Sequence, residues 1–247
     1  KVFDLIRKQP NIEFVEASIS SFSESKEGVE VQTNVGVFYG EKLFNSIYNP
    51  NLVTSQTKFP LVQQHFIGWF IKSAAPVFTP ETATFMDFSI NQKNTTRFMY
   101  VLPTSETEAL LEYTLFSPDL LKKEEYETEI QNYIQNLGIS HYEIIEKESG
   151  NIPMTCYPFW KHNTQNILNI GSAGGWTKAS TGYTFKNTTK KSKEVVRFLQ
   201  SHSDFRKFHK TNKFWFYDLL LIDILFRRNE IGSNIFSSMF KKAKASF

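Results

Sequence analysis

Two acidic residues lie inside stretches whose neighbours are mostly apolar. Glu112 is in ALLEYTLFS, residues 109–117, and Asp87 is in TFMDFSI, residues 84–90. A carboxyl group buried without a cation keeps its proton near neutral pH, because desolvation penalises the charged form. Such a neutral acid can protonate a substrate. The alternative is that each carboxylate faces water on a half-exposed sheet, and periodicity alone leaves both interpretations open.

A glycine-rich segment, IGSAGGWTKASTGYTF at residues 170–185, follows the short apolar strand that NILNIG predicts. Glycines leave backbone N–H groups accessible to a ligand, and the start of a helix favours an anion. Ser180 and Thr181 are predicted to cap a helix that begins near Gly182. An ordinary glycine-rich turn is the other interpretation. The chain contains no GxGxxG motif and so has no dinucleotide-binding fingerprint of its own.

The composition is that of a globular protein with an aromatic interior. Of 247 residues, 40% are hydrophobic and 24 are Phe, which suffices for one large domain or two small ones. The single cysteine, Cys156, excludes a disulfide framework and indicates a reducing compartment. The five histidines lack metal-binding spacing, so no metal site is expected.

The net charge of +3 is unevenly distributed along the chain. Residues 186–247 contain 14 Lys and Arg against 5 Asp and Glu, whereas the rest contains 14 against 20. A basic, aromatic end could face anionic lipid or nucleic acid. Because no nucleic-acid-binding motif is present, nucleic acid is not expected as a partner.

The most apolar run, FWFYDLLLIDILF at residues 214–226, is shorter than the ~20 residues that span a bilayer. It is also interrupted by Asp218 and Asp223. It predicts a helix that is either buried or interfacial. One stripe of this helix is apolar, and consists of Trp215, Leu219, Ile222 and Phe226. No signal peptide is visible.

The elements that position these residues follow from alternation and turn signals. IEFVEASISSF, VEVQTNV and GVFYGEKLFNSIY predict strands of a small sheet. TATFMDFSI, RFMYVLP and ALLEYTLFS, joined by the turn-like NQKNTT and TSETE, predict an antiparallel meander. In the last of these strands Glu112 shares a face with Leu110, Thr114 and Phe116, while Tyr113 lies on the other face.

A helix is predicted for KEEYETEIQNYIQNLG, with one apolar face and Gly138 after its end. HYEIIEKESGNIPMT returns as a strand that ends at Pro153, and the chain past residue 186 is predicted to be helical. The first residues, KVFDLIRKQPNIEFVEA, read as the end of a helix that runs into a strand, so the natural N-terminus is expected to lie upstream.

Several stretches occur together in one order and carry a family resemblance. They are QQHFIGWFI, ATFMDFSINQ, RFMYVLPTSETEALLEYTLFS, GNIPMTCYPFW, IGSAGGWTKASTGYTF and KFWFYDLLLIDILFRRNEIGSNIFSSMF. Over nearly its whole length the chain resembles the flavin-dependent lycopene cyclases of the bacterial and plant β-cyclase kind. It is most similar to those of flavobacteria-like bacteria.

The resemblance implies an α/β (α+β) flavoprotein fold with two domains. Residues 1–60 would be the remainder of the FAD-binding, Rossmann-type domain, and residues 61–160 an antiparallel substrate-binding sheet with one helix. Residues 161–200 would hold the second FAD-contacting segment and a helix, and residues 201–247 a C-terminal helical region. Because such cyclases open with a GxGxxG segment and continue further, this chain is expected to be a fragment.

The resemblance also implies an activity, lycopene β-cyclisation, which is an acid-catalysed isomerisation without net redox change. Glu112 matches the family's acid–base carboxylate, and Asp87 is the second candidate. Aromatic rings that could face a carbocation, or simply pack in the core, are Phe66, Trp69, Phe70 and Tyr113.

The implied cofactor is reduced FAD, with NAD(P)H as the reductant. The residues expected to contact it are Gly171, Gly174, Gly175, Thr181, Gly182 and Tyr183. The implied substrate is a hydrophobic carotenoid, reached by a cytoplasmic protein at the inner face of the plasma membrane. Two alternatives stay open: a related FAD-dependent prenyl reductase or monooxygenase acting on an isoprenoid, and a non-catalytic module that binds an apolar ligand or a membrane.

Overall fold

The computed structural model describes residues 2–209 and 211–242. Its strands are β1 (Ile19–Ser25), β2 (Gly28–Thr33), β3 (Gly36–Gly40), β4 (Leu43–Asn45), β5 (Leu61–Ser73), β6 (Thr84–Asp87), β7 (Thr96–Pro103), β8 (Glu108–Ser117), β9 (Tyr142–Thr155) and β10 (Ile167–Asn169). Its α-helices are α1 (Val2–Ile6), α2 (Asn51–Thr54), α3 (Lys123–Asn136), α4 (Phe185–Leu199), α5 (Lys213–Arg227) and α6 (Gly232–Lys242). This mixed α/β composition confirms the predicted fold class.

The main sheet is antiparallel, with the strand order β6-β7-β8-β5-β9. The meander β6-β7-β8 is therefore confirmed, and β5 and β9 extend it. Strand β9 continues two residues beyond the predicted end at Pro153. A proline is tolerated there because β9 is the edge strand of the sheet.

Both faces of the main sheet are partly covered by helices. On one face α3 packs against a buried cluster that includes Trp69, Leu111 and Tyr113. On the other face α5 and α6 pack against a cluster that includes Phe98 and Phe116. The strand β5 escaped prediction because both of its faces carry apolar residues, which hides the alternation typical of a half-exposed strand.

A separate sheet of order β1-β2-β3 confirms the second predicted early strand and corrects the other two, since the third ends at Gly40 and residues 43–45 form β4, which pairs with β10 in another sheet. The strand predicted from Ile12 begins only at Ile19. Residues such as Phe14 and Val15 stay nearly half exposed, because no described strand pairs with them, although Phe3 of α1 contacts the Phe14 ring. Alternation alone therefore overstated the length of this strand.

The glycine-rich segment is reached through a parallel pair of strands. Strand β10 pairs with β4 in parallel, and the Asn45 side-chain amide donates to Asn169 Oδ1 across the pair at 2.8 Å. Two segments that are more than a hundred residues apart in the chain thus lie side by side next to the glycine-rich segment. The short apolar strand predicted for NILNIG is confirmed.

Helix α3 agrees with its prediction, with one buried face and Gly138 in a left-handed conformation (φ 75°) just after its end. The face residues Tyr126, Ile130, Tyr133 and Ile134 are buried, whereas Leu137 is exposed. Helix α5 begins after Asn212, whose side chain accepts hydrogen bonds from the Phe214 and Trp215 amides. Within the described residues, no helix has the length and apolarity required to cross a membrane.

Candidate active site

Glu112 projects from the middle of β8 onto the face of the main sheet opposite α3, called here the Glu112 face. The predicted alternation holds, since Leu111, Tyr113 and Leu115 all belong to the cluster under α3. Glu112 is partly buried. Its Oε1 accepts a hydrogen bond of 2.5 Å from the Thr114 hydroxyl on the same face.

The neighbours of Glu112 form one row across four strands. Tyr100 of β7 lies directly opposite Glu112 on one side. On the other side lies Gly68 of β5, which in turn pairs with Glu148 of β9. Because Gly68 carries no side chain, the space above it is filled by Leu110 Cδ1 and by the Glu148 side chain.

Burial raises the pKa of Glu112 from 4.5 to about 7, and the negative charge and hydrogen bond of Glu148 add to the rise. The hydrogen bond from Thr114 acts in the opposite direction but does not outweigh them. Burial, followed by the charge of Glu112, also raises the pKa of Tyr100. Glu112 therefore holds a proton at a pH where an ordinary glutamate has lost it, which is the behaviour required of a general acid.

Apolar side chains surround this acid on the Glu112 face. Phe66 and Phe70 flank Gly68 along β5, and Leu110 lies one alternation from Glu112 on β8. The Phe66 ring lies over Gly150, where a Cβ atom would clash with it. Leu102, further along this face, is 52% exposed. This end of the face thus offers a partly uncovered apolar surface beside a carboxyl group whose pKa is raised.

Asp87, the second predicted acid, lies on the opposite side of the sheet. It pairs with Met99, which packs under α3. Its Oδ2 accepts from the Tyr133 hydroxyl at 2.7 Å, and its Oδ1 accepts from the Ser89 amide at 2.8 Å. Burial raises the pKa of Asp87, but these hydrogen bonds outweigh burial and lower it overall. The geometry is that of an ionised, structural carboxylate.

The four predicted aromatic residues divide between the two faces. Phe66 and Phe70 share the Glu112 face, whereas Trp69 and Tyr113 are buried under α3. The Tyr113 hydroxyl accepts a hydrogen bond of 3.0 Å from Arg97 Nη1. Of the two interpretations left open for these rings, core packing therefore holds for Trp69 and Tyr113, because Trp69 is one residue from Gly68 and Tyr113 one residue from Glu112, which places both on the opposite face.

The glycine loop, residues 171–183, opens with a single 3₁₀ turn over Gly171–Gly174. Gly171 and Gly175 have φ values of 56° and 65°. The space where a Gly171 side chain would lie is open. At Gly174 a Cβ atom would collide with the Asn169 carbonyl oxygen. Gly171 therefore leaves its backbone accessible, whereas Gly174 is required by packing within the chain.

The far end of the glycine loop rests on the Glu112 face. Gly182 has a φ of 68°, and a Cβ atom there would collide with Gln64 Oε1 and lie 3.4 Å from Ile152 Cγ2. Gln64 Oε1 is buried and has no hydrogen-bond partner in the part of the chain that the structure describes. Along β5, Gln64 precedes Gly68 by four residues, a distance of about 13 Å at the strand rise of ~3.3 Å per residue.

The helix after the loop starts later than predicted. Helix α4 begins at Phe185, Thr184 occupies the N-cap position, and Ser180 is buried within the loop. The Thr181 Oγ1 accepts from the Tyr183 amide at 3.3 Å, which forms a local turn instead of a helix cap. The predicted cap by Ser180 and Thr181 is thus wrong. Thr181 and Tyr183 themselves remain exposed.

Hydroxyl groups connect the two ends of the loop. Ser172 Oγ lies 3.1 Å from Thr177 Oγ1, which lies 2.9 Å from Thr184 Oγ1. Together with the backbone N–H groups at the start of the 3₁₀ turn, they form a set of neutral donors near open space. Such a set suits a phosphate or the polar edge of a ring.

A cavity of about 1210 Å³ lies between the glycine loop, α4 and α5. Trp160 and His209 stack at its wall with 3.5 Å between ring centroids. Burial lowers the pKa of Lys191, which also lines it. Glu112 is not among its lining residues, so the cavity and the acid are separate features.

Sequence reasoning missed Gly68, Gln64 and Glu148. A glycine inside an apolar strand marks a place where another group approaches the backbone, and QQHFIGWFI carried that signal. Glu148 gave no such signal, because its proximity to Glu112 depends on the registers of two strand pairs.

Comparison with known proteins gives a family. A family model described as lycopene cyclase protein matches residues 16–240. No curated protein shows a significant sequence match to the chain.

Solved structures show the same fold at low identity. A geranylgeranyl bacteriochlorophyll reductase-like protein from Thermoplasma acidophilum is 12% identical, with a TM-score of 0.55 over 92% of this chain and 58% of its own. The flavin-dependent brominase Bmp2 is 13% identical, with a TM-score of 0.53 over 94% of this chain and 71% of its own. Tetracycline destructase Tet(51) is 12% identical, with a TM-score of 0.51 and coverages of 94% and 69%. The chain thus spans 58% of the length of the reductase-like protein.

Proposed function

Because the chain belongs to the lycopene cyclase family, we propose that it is the substrate-sheet part of a lycopene β-cyclase. The reaction is a redox-neutral isomerisation that closes the ends of a linear carotene into β-ionone rings. The observation that carries the proposal is Glu112, a partly buried acid with a pKa of about 7 on a partly uncovered apolar sheet face.

Glu112 acts in this proposal as the proton donor. Protonation of the terminal double bond gives a carbocation, which a neighbouring double bond attacks to close a six-membered ring. Loss of a proton from the ring then gives the product. Phe66 and Phe70 line the same face, where their rings exclude water and offer π electrons to the cation.

The residues of the glycine loop fit a flavin. Gly171 leaves open space above its backbone, and the buried Gln64 Oε1 at Gly182 has no partner within the described residues. We propose that the loop holds the polar edge and pyrophosphate of FAD, kept reduced by NAD(P)H. When bound, the anionic reduced flavin supplies negative charge that stabilises the carbocation.

A peripheral membrane contact would give the protein access to its lipid-soluble substrate. Helix α5 exposes Phe216, Tyr217 and Leu220 on the side away from the sheet, each about half exposed. The surrounding residues 186–247 carry a strong excess of Lys and Arg. An apolar helix face within a basic region suits an anionic lipid surface, here proposed to be the inner face of the plasma membrane.

The test is the substitution Glu112→Gln in cells that accumulate lycopene, because it keeps the side-chain shape and removes the acid. We expect cyclised carotenoid to fall by about a hundredfold or more, the range for loss of a general acid. Pigments are measured by chromatography, and protein levels by immunoblot. Glu146→Gln is the matched control, since Glu146 is an exposed residue of the same sheet face.

Two outcomes would contradict the proposal, the first for the role of Glu112 and the second for the reaction itself. One is wild-type cyclisation by Glu112→Gln, which would exclude Glu112 as the proton donor and, with loss of cyclisation in Asp87→Asn, would assign that role to Asp87. The other is NAD(P)H consumption in proportion to product by the purified wild type, which would identify a reductase or a monooxygenase instead of a cyclase.

A further inference from the structure

Glu112 has an acidic neighbour in the main sheet that is not on an adjacent strand. Glu148 lies two strands away, with only Gly68 between them. Two such positions are separated by about 10 Å at the Cα atoms, because adjacent strands lie ~4.8 Å apart. A side chain on the central strand would normally keep them apart, and Gly68 has none.

Glu148 leans across this gap. A Cβ atom placed on Gly68 would lie 2.9 Å from Leu110 Cδ1, 3.0 Å from Glu148 Cγ and 3.1 Å from Glu148 Oε1. The Glu148 side chain, together with the end of Leu110, therefore occupies the volume that any other residue on β5 would fill. From there the charge of Glu148 and its side-chain hydrogen bond raise the pKa of the Glu112 carboxyl. Carboxylates only accept hydrogen bonds, so a bond between two carboxyl groups requires a proton on one of them.

We propose that Glu112 and Glu148 share one proton above Gly68, and that this pair, rather than Glu112 alone, protonates the carotene. The proposal rests on the function proposed above. Thr114 donates to Glu112 Oε1, which assigns the shared proton to Oε2. Two carboxylates in contact cannot both be ionised without strong repulsion, so the pair retains its proton near neutral pH.

The proton balance of the reaction suits a pair that holds one proton. The O–H bond of the pair breaks, and the π electrons of the terminal double bond form the new C–H bond. Ring closure forms a C–C bond from the π electrons of the next double bond. The ring then loses a proton, its C–H electrons form the ring double bond, and that proton returns to the pair. No electron is gained or lost, so no oxidant or reductant is consumed.

Other charged groups around the pair do not neutralise it. Tyr100 faces Glu112 from β7, and a phenol with a raised pKa stays neutral. Glu146 lies further along β9 and is exposed. Lys72 is engaged by Glu108 at 3.1 Å. In the part of the chain that the structure describes, no Lys or Arg forms an ion pair with either member of the pair.

The first experiment titrates the carboxyl groups directly, so it does not depend on catalysis. The full-length, flavin-loaded protein is labelled with ¹³C at the glutamate carboxyl carbon and followed by NMR from pH 4 to 9. The Glu112 signal is assigned by its absence in Glu112→Gln. We expect it to titrate near pH 7 in the wild type and at least one pH unit lower in Glu148→Gln.

Glu146→Gln, the matched control on the same strand, should leave the Glu112 midpoint unchanged. Gly68→Ala provides a second route, because its methyl group displaces Glu148 without removing a carboxyl group, and it should lower the midpoint in the same direction. An unchanged midpoint in both Glu148→Gln and Gly68→Ala would overturn the shared proton.

The second experiment measures the pH profile of cyclisation. The wild-type rate should fall above about pH 7, and Glu148→Gln should move this falling limb down by at least one pH unit, with about a tenfold lower rate at pH 7. An unmoved limb would overturn the proposal. If the wild type shows no cyclisation while the titration shifts as expected, the proposed function fails and the shared proton stands.

Discussion

The protonation of Glu112 couples its proposed chemistry to folding. The pKa rises from 4.5 to about 7 on folding, mainly through burial. Between these pH values the folded protein holds a proton that the unfolded chain has released, so stability falls as the pH rises. At about 1.4 kcal/mol per pKa unit, the loss amounts to no more than about 3.5 kcal/mol.

His65 has the opposite effect over nearly the same range. It is buried under α3, with Nε2 at 2.7 Å from Ser117 Oγ and Nδ1 at 2.6 Å from the Tyr126 hydroxyl. Burial lowers its pKa from 6.5 to about 4. Between these values the unfolded chain binds a proton that the folded protein does not, so stability falls as the pH falls. The two residues therefore offset one another.

Glu112→Gln should remove the contribution of Glu112 and leave that of His65. We expect the free energy of unfolding of the variant, minus that of the wild type, to rise by about 1–2 kcal/mol between pH 5 and pH 6.5. Urea unfolding at several pH values measures it, and the titrating groups that do not interact with Glu112, His65 included, cancel in the difference. Glu146→Gln should track the wild type. A difference that does not change with pH would contradict the assigned burial of Glu112.

Alternation along a single strand predicted which face of the sheet Glu112 occupies, but it did not predict which residues of other strands lie beside Glu112. The face of Glu112 followed from the sequence of β8 alone, because side chains alternate strictly along a strand. Glu148 could not be found in this way, since the pairing of β5 with both β8 and β9 brings the two glutamates together. Strand registers are long-range facts that a single segment does not contain.

The glycine loop shows the same limit. Its glycines and hydroxyls were visible in the sequence, but the start of α4 was misplaced by three residues because Ser180 is buried and Thr181 forms a turn instead. The contact of Gly182 with Gln64 was not predictable, because Gln64 belongs to a strand that the sequence did not reveal. Turn-forming residues can be recognised in a sequence, whereas the surface against which a turn packs cannot.

Gly182 and Gly138 allow the packing of the loop to be tested against a matched control. Both have positive φ, 68° and 75°, so an alanine costs about 1–2 kcal/mol of backbone strain at either position. Only at Gly182 would the new methyl group also collide with Gln64. We expect Gly182→Ala to lower the free energy of unfolding by about 1–3 kcal/mol more than Gly138→Ala.

Denaturant unfolding measures both variants, and flavin binding by the purified protein is measured in parallel. Gly182→Ala should weaken flavin binding while Gly138→Ala, at the end of α3, should not. Equal losses of stability would mean that the loop does not rest on Gln64.

At the scale of the whole molecule, the Glu112 face is divided into three zones. Helices α5 and α6 cover one end, the glycine loop rests in the middle, and the apolar end with Glu112 is left partly uncovered. Lys178 of the loop fixes this arrangement by donating to both oxygens of Asp218 on α5, at 2.6 and 2.9 Å. Asp218, one of the two aspartates that interrupt the apolar run of residues 214–226, thus connects the glycine loop to α5. The proposed division of the chain into domains remains a prediction.

The sequence left open whether helix α5 is buried or interfacial. In the structure the helix carries apolar residues on two sides. Trp215, Leu219 and Ile222 of the predicted stripe pack on the sheet, whereas Phe226 is exposed. A second set of apolar residues points away from the sheet, and consists of Phe216, Tyr217, Leu220 and Ile224. Packing in the core therefore accounts for one side only, and the other side is the surface proposed to meet the membrane.

Replacing this outer side should weaken membrane binding without unfolding the protein. In Phe216→Ser/Leu220→Ser two half-exposed apolar side chains are lost, and each contributes roughly 1 kcal/mol or more when inserted among lipids. We expect at least a tenfold weaker partition onto anionic vesicles in a sedimentation assay, and weaker binding of the wild type at high salt because the basic region is screened. Tyr39→Ser, at a 77% exposed position on β3, is the control and should bind like the wild type. Equal partition of the α5 variant and the control would mean that lipid meets another surface, since loss of apolar area from the contacting helix cannot leave its affinity unchanged.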